Sequence, residues 1–171
     1  HWETWLNTES NIRPNQLGVI LRKWQACRPN KMRRTCVENK HKAPYLENLR
    51  DAANPYIQVL QDFDIRMQES FTEQSFNALR ELWNIFENLS YHENGRCRGG
   101  LSGVVGISKA VLLLTDGRVG PAFDNQVRNN LGIQNITNAD EWIESLLVVL
   151  QDIQLFEINN QTTLLEAVPA R

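Results

Sequence analysis

The sequence predicts an all-α fold, with seven to eight helices in one compact domain. Three observations predict it. Apolar residues recur at the i, i+3, i+4, i+7 spacing of a helix face along nearly the whole chain. No stretch alternates apolar and polar residues convincingly as a half-buried strand would. Glycine, proline and capping residues cut the periodic segments into helix-sized pieces. The chain has 171 residues, 42% of them hydrophobic and 8% aromatic, which fits a single domain over 1–171. A chain of this length buries roughly two-thirds of its unfolded surface and needs no staples. Unequal helix lengths and short glycine turns argue against a simple four-helix bundle.

Leu17, Ile20, Leu21 and Trp24 mark the face of the first predicted helix. Pro29 and the basic residues after it predict a loop, and Pro44 opens a second helix holding Leu46, Leu49 and Ala53. Pro55 ends or kinks that helix, and Tyr56, Val59, Leu60, Phe63 and Met67 continue as a third. Ser70 with Glu73 is a capping-box pattern. It precedes a wide apolar stripe of Phe76, Leu79, Leu82, Trp83, Phe86 and Leu89. Residues 91–100, YHENGRCRGG, are polar, basic and glycine-rich, and predict a loop.

Ile107, Ala110, Val111 and Leu114 form the next helix, with Gly117 as its left-handed terminator. Phe123, Val127 and Leu131 carry a short helix that Gly132 closes. Thr137 and Asp140 start a long helix through Trp142, Leu146, Val149, Leu150, Ile153 and Phe156, apolar on more than one side and therefore expected to be central. Leu164, Leu165 and Val168 end the chain in a last turn or two.

Net charge is −2, but it is unevenly spread. Residues 1–42 hold nine bases and three acids, and the remainder holds nine bases and seventeen acids. A basic N-terminal arm on an acidic body suits an anionic partner or a solvated surface. Cys27, Cys36 and Cys97 are an odd number without a CxxC pair, and three reduced thiols point to a cytoplasmic setting. Cys27, Cys36 and His41 match no common zinc spacing, so no metal is expected. His41 and His92 stand alone and are expected at the surface. The longest apolar run, Ala110–Leu114, is far too short to cross a membrane.

Residues 101–132 carry the candidate chemistry. Leu101 precedes Gly103-Val104-Val105-Gly106, then Ile107-Ser108-Lys109-Ala110. An apolar helix, a glycine loop, Ala122-Phe123-Asp124, Val127 and Leu131-Gly132 follow. This order resembles the helix-hairpin-helix DNA glycosylases of base excision repair, whose pattern runs roughly LPGVGxxTA, an apolar helix, a loop, V-D-x-x-V and LG. The resemblance implies duplex DNA as partner, no cofactor, and hydrolysis of the N-glycosidic bond of a flipped base. Gly103, Gly106 and Ser108 would then form the phosphate-binding hairpin. Asp124 would stabilise the cationic sugar or orient the water, and Lys109 would stand near the lysine nucleophile of bifunctional members.

Trp83, Tyr91 and Phe123 could wall the flipped base. Arg96 and Arg98 flank the hairpin and Arg118 lies in the following loop, all within possible reach of phosphates. Three departures stand out: the turn is G-x-x-G rather than G-x-G, the spacing from the hairpin alanine to the aspartate is shorter, and Lys109 lies one position off the family's lysine, about 100° around a helix.

Each of these residues also has a structural reading. Asp124 suits a helix cap, Lys109 and the arginines suit solvated positions, and the glycines suit an ordinary interhelical turn. The chain as a whole could instead be a nucleic-acid-binding domain without catalysis, or a helical interaction module with a protein partner.

Overall fold

The computed structural model describes residues 2–9, 13–24, 46–89, 91–93, 96–98 and 102–167. Among them run eight α-helices, as the periodicity predicts: α1 (Trp2–Leu6), α2 (Arg13–Lys23), α3 (Leu46–Val59), α4 (Glu73–Phe86), α5 (Val104–Leu114), α6 (Asn125–Asn130), α7 (Ala139–Asn160) and α8 (Leu164–Ala167). The fold is all-α apart from one short antiparallel pair, β1 (Tyr91–Glu93) and β2 (Arg96–Arg98). The basic stretch 25–45, with Cys27, Cys36, His41 and Pro44, lies outside the described residues, as does Val168.

Helices α4 and α5 are the hub. α4 packs on α3 and α7, α5 packs on α4 and α2, and α1 leans on α2. The stripe read from the sequence supplies α4's buried face: Leu79, Leu82, Trp83 and Phe86 are buried, as is Leu89 just beyond. Leu17, Ile20 and Leu21 bury α2 against the same core. Helix α5 buries residues on more than one side, with Val104, Ile107, Ala110, Val111 and Leu113 all enclosed.

Four expectations need correction. Residues 91–98 hold paired strands, with Glu93 opposite Arg96 and Tyr91 opposite Arg98. The Asn94-Gly95 dipeptide between them is the sequence signal for such a hairpin.

Of the two outcomes expected at Pro55, a helix end is not what forms: Pro55 lies inside α3, which continues to Val59. The proline removes only the bond to the Asp51 carbonyl. Both residues are exposed, so water can replace that bond. Beyond α3, Leu60 and Phe63 are buried in irregular backbone, while Met67 is exposed.

The helix starts are shifted. Thr72, not Ser70, caps α4 by accepting from the Ser75 N–H, while the Ser70 hydroxyl accepts from the Asp64 N–H. Asn138, not Thr137, caps α7 by accepting from the Glu141 N–H at 2.9 Å. The Glu141 carboxylate reaches back to the Thr137 N–H and hydroxyl. The box is present, displaced by one residue.

Helix α7 is not central throughout. Its first half buries Trp142, Ile143, Leu146, Val149 and Leu150, whereas Leu155 and Ile158 in its second half are 57% and 71% exposed.

Candidate functional site

Segment 103–132 is one continuous piece of structure. α5 begins at Gly103, whose extended backbone (φ −83°, ψ 174°) makes it the N-cap with no side-chain hydrogen bond. Among the described residues, a Cβ built on Gly103 would meet nothing within 4 Å. Gly106 is buried inside the first turn of α5 rather than in a loop. The four residues Gly103–Gly106 are therefore a helix start, and the described element before them is strand β2, not a helix. No interhelical turn is formed there.

Helix α5 ends in a Schellman turn. The Gly117 N–H donates to the Leu112 carbonyl at 2.8 Å and the Asp116 N–H to the Leu113 carbonyl at 3.2 Å. Both Asp116 (φ 50°) and Gly117 (φ 83°) are left-handed, so the first terminator is an aspartate. Its carboxylate accepts from the Trp5 indole N–H at 2.9 Å, which ties the turn to α1.

The loop then runs back along α5. Gly120 sits at φ 144° with Leu146 so close that a Cβ there would lie 2.8 Å from its Cδ2. That contact packs the loop on α7. The Phe123 N–H donates to the Ser108 hydroxyl at 3.0 Å, and both residues are buried. This bond fixes the entry to α6 against the middle of α5.

Asp124 is half-buried and caps α6. Its Oδ1 accepts from the Val127 N–H at 3.1 Å. The capping geometry aims this carboxylate oxygen along the helix start. α6 closes in a second Schellman turn: the Ile133 N–H reaches the Arg128 carbonyl and the Gly132 N–H reaches Asn129, with Gly132 at φ 66°.

Lys109 points elsewhere. Its Nζ donates to the Trp24 carbonyl at 2.9 Å, just past the end of α2, where a cation also meets the negative end of the helix dipole. Lys109 and Asp124 thus serve different helices, and no hydrogen bond or ion pair joins them.

Ser108 is enclosed at 3% exposure and cannot touch a surface ligand directly. Trp83 and Phe123 are core residues, Trp83 lying 6.0 Å from Trp142 between ring centroids. They do not wall an open pocket. Arg118 is half-buried, its carbonyl accepting from the Ile65 N–H at 2.9 Å. Its Nε is buried without a hydrogen-bond partner among the described residues. The backbones of Arg96 and Arg98 lie on β2.

Three carboxylates outside this segment are held below their ordinary values. Asp64 is held below the ordinary carboxylate value by its hydrogen bonds from Arg66, and Glu141 by those from Thr137. Glu166 is lowered in the same way by Thr163. All three are structural arrangements. An open cleft of about 390 Å³, lined by Val59, Phe63, Met67, Thr72 and Ser75 among others, contains no basic side chain and none of the predicted site residues. Among the described residues no group of histidine, cysteine, aspartate or glutamate is placed to hold a metal, and no helix is long and apolar enough to cross a membrane.

Sequence reasoning missed two residues and one hydrogen bond that shape the segment. Asp116 carried a signal, since aspartate tolerates the left-handed region. Gly120, inside Arg118-Val119-Gly120-Pro121, carried a weaker one. The Ser108–Phe123 bond had none, because it spans fifteen positions. Comparison with protein-family models, with curated proteins and with solved structures finds no match for the chain.

Proposed function

We propose that this chain is a DNA-contacting helical module that receives duplex phosphates at the N-terminus of α5. The observation that carries this reading is Gly103, an N-cap with no side-chain bond and open space around its Cα. A phosphate oxygen approaching there can accept from first-turn backbone N–H groups and meets the positive end of the helix dipole. Strand β2, with Arg96 and Arg98, immediately precedes this helix start in the chain. In the sequence these arginines add positive charge just ahead of the helix start.

A second reading makes the module an enzyme resembling a base-excision glycosylase, with Asp124 acting on the N-glycosidic bond of a flipped base. What supports it is the way Asp124 is held. The Ser108–Phe123 bond and the α6 cap fix its position relative to α5, and the cap is recorded at Oδ1. A fixed, half-buried carboxylate at the start of α6, held against the middle of α5, suits stabilisation of a sugar cation. Lys109 is left out of this chemistry, because its ammonium is engaged by Trp24.

The test is binding to a labelled mixed-sequence duplex at roughly 50 and 200 mM salt. The proposal expects binding at the lower salt that weakens steeply at the higher. Absence of binding at the lower salt would remove both readings. Given binding, Asp124→Asn decides between them. Asparagine caps a helix as well as aspartate, so base release lost with the fold intact assigns chemistry to the carboxylate. A wild type that binds and releases no base leaves the non-catalytic module.

A further inference from the structure

The second half of α7 carries an apolar stripe that the core does not use. Each residue turns a helix by about 100°. Trp142, Leu146, Val149 and Leu150 face the core. Val148, Leu155 and Ile158 lie on the opposite side, with Val148 and Leu155 seven residues apart and nearly superposed. They are 37%, 57% and 71% exposed. A helix apolar on two faces is ordinarily covered on both. Here one is open.

Charge says what covers it. α7 holds Asp140, Glu141, Glu144, Asp152 and Glu157, and no lysine or arginine. Asp140 is paired with Arg80, 2.8 Å away. Glu157 lies near Arg66, whose guanidinium it helps to keep charged. Glu144 and Asp152 have no ion pair among the described residues, and both are exposed. They stand four residues before and four after Val148, so they lie along the stripe itself. The open surface therefore reads acid, apolar, acid, apolar, apolar along one ridge of the helix.

We propose that this face of α7 docks a basic amphipathic helix of a partner protein. Val148, Leu155 and Ile158 would receive its apolar side, and Glu144 and Asp152 would pair with lysines or arginines beside that side. An α-helical occupant fits because a single helix ridge seats in the groove of another helix. A second copy of the same face does not fit. Pairing α7 with α7 brings Glu144 and Asp152 onto a surface with no base to meet them, and like charges are selected against. This inference uses a surface distinct from the start of α5 and stands or falls independently of the DNA reading.

The experiment is titration of the full chain with a labelled amphipathic helical peptide of leucine and lysine, alongside the same peptide with glutamate in place of lysine. The lysine peptide is expected to bind, and to bind at least about ten-fold more weakly on raising salt from roughly 50 to 500 mM. Ile158→Lys is expected to weaken it at least about ten-fold, and Glu144→Gln with Asp152→Asn to flatten the salt response. All these positions are exposed, so helical circular dichroism and the melting curve should match wild type. Equal binding of both peptides, or binding indifferent to Ile158→Lys, overturns the proposal. So does a dimer in sedimentation that Ile158→Lys dissociates, because the occupant would then be a second copy.

Discussion

Asp124, Lys109 and Gly120 show how single residues divide between holding the fold and remaining available for chemistry. Asp124 caps α6 through the Val127 N–H. Asp124→Ala should therefore cost about 1 kcal/mol in a denaturant titration, and Asp124→Asn only a few tenths. Lys109→Met leaves the carbonyl end of α2 without its cation and should cost about 1 kcal/mol. Neither loss needs DNA to be observed, so both are measurable before any functional assay. Gly120→Ala meets two obstacles, a left-handed backbone and the Leu146 methyl at 2.8 Å. Gly132→Ala meets only the first, since no atom lies within 4 Å of its Cβ position. The first should destabilise by about 2 to 4 kcal/mol and the second by about 1 kcal/mol.

Asp64 gives a pH dependence at the same scale. Arg66 grips it through its backbone N–H, its Nε and its Nη2, and this holds the carboxyl below its ordinary value of 3.8. Because the folded value is depressed, the stabilisation is present above 3.8 and fades as pH falls below it. Chemical denaturation followed from pH 5 downward should show a loss of stability that Arg66→Met reduces. An identical pH profile in the variant would mean that the Arg66–Asp64 pair contributes nothing to folding.

At the scale of elements, the helical period was legible wherever one face alone is buried. Leu79, Leu82, Trp83 and Phe86 announce α4 because they lie on one stripe and most residues between them, Arg80, Glu81 and Asn84, are polar. Boundaries were less legible. Thr72 and Ser70 are equally good caps by composition, and only the hydrogen bond to the Ser75 N–H distinguishes them. Pro55 misled because a proline is a helix breaker on average. On an exposed face its cost is a single bond that water can replace. Pro55→Ala should accordingly stabilise α3, raising the unfolding midpoint by an amount worth about 1 to 3 kcal/mol.

The strand pair was missed because three residues per strand are too short for any alternation to register. The Asn94-Gly95 dipeptide was the available clue. The second apolar face of α7 was read correctly as apolar and wrongly as buried, since periodicity reports which side chains are apolar and not what covers them. In the candidate site the same limit applies. The cap at Asp124 was legible as one of two readings, whereas the Lys109–Trp24 and Ser108–Phe123 bonds join residues far apart in the chain.

For the whole molecule, the described residues divide into a helical core around α4 and α5 and two surfaces of different character. One is the uncapped start of α5 following the basic strand β2. The other is the acidic, apolar outer face of α7. An overall charge of −2 hides this division. A protein that holds an anion at one helix start and a basic partner on another helix would bridge the two, with the α4–α5–α7 core fixing their separation.

Phosphate binding at the start of α5 is tested by duplex binding of Gly103→Asp beside wild type at roughly 50 mM salt. Aspartate is a favoured N-cap, and among the described residues a Cβ at Gly103 meets no atom within 4 Å, so the fold should be kept or slightly stabilised. Its carboxylate would occupy the first-turn N–H groups and repel phosphate. The melting temperature should be unchanged or higher, with binding weakened by about ten-fold or more. Binding as tight as wild type by a well-folded Gly103→Asp would contradict phosphate binding there and would leave the start of α5 as an ordinary helix end.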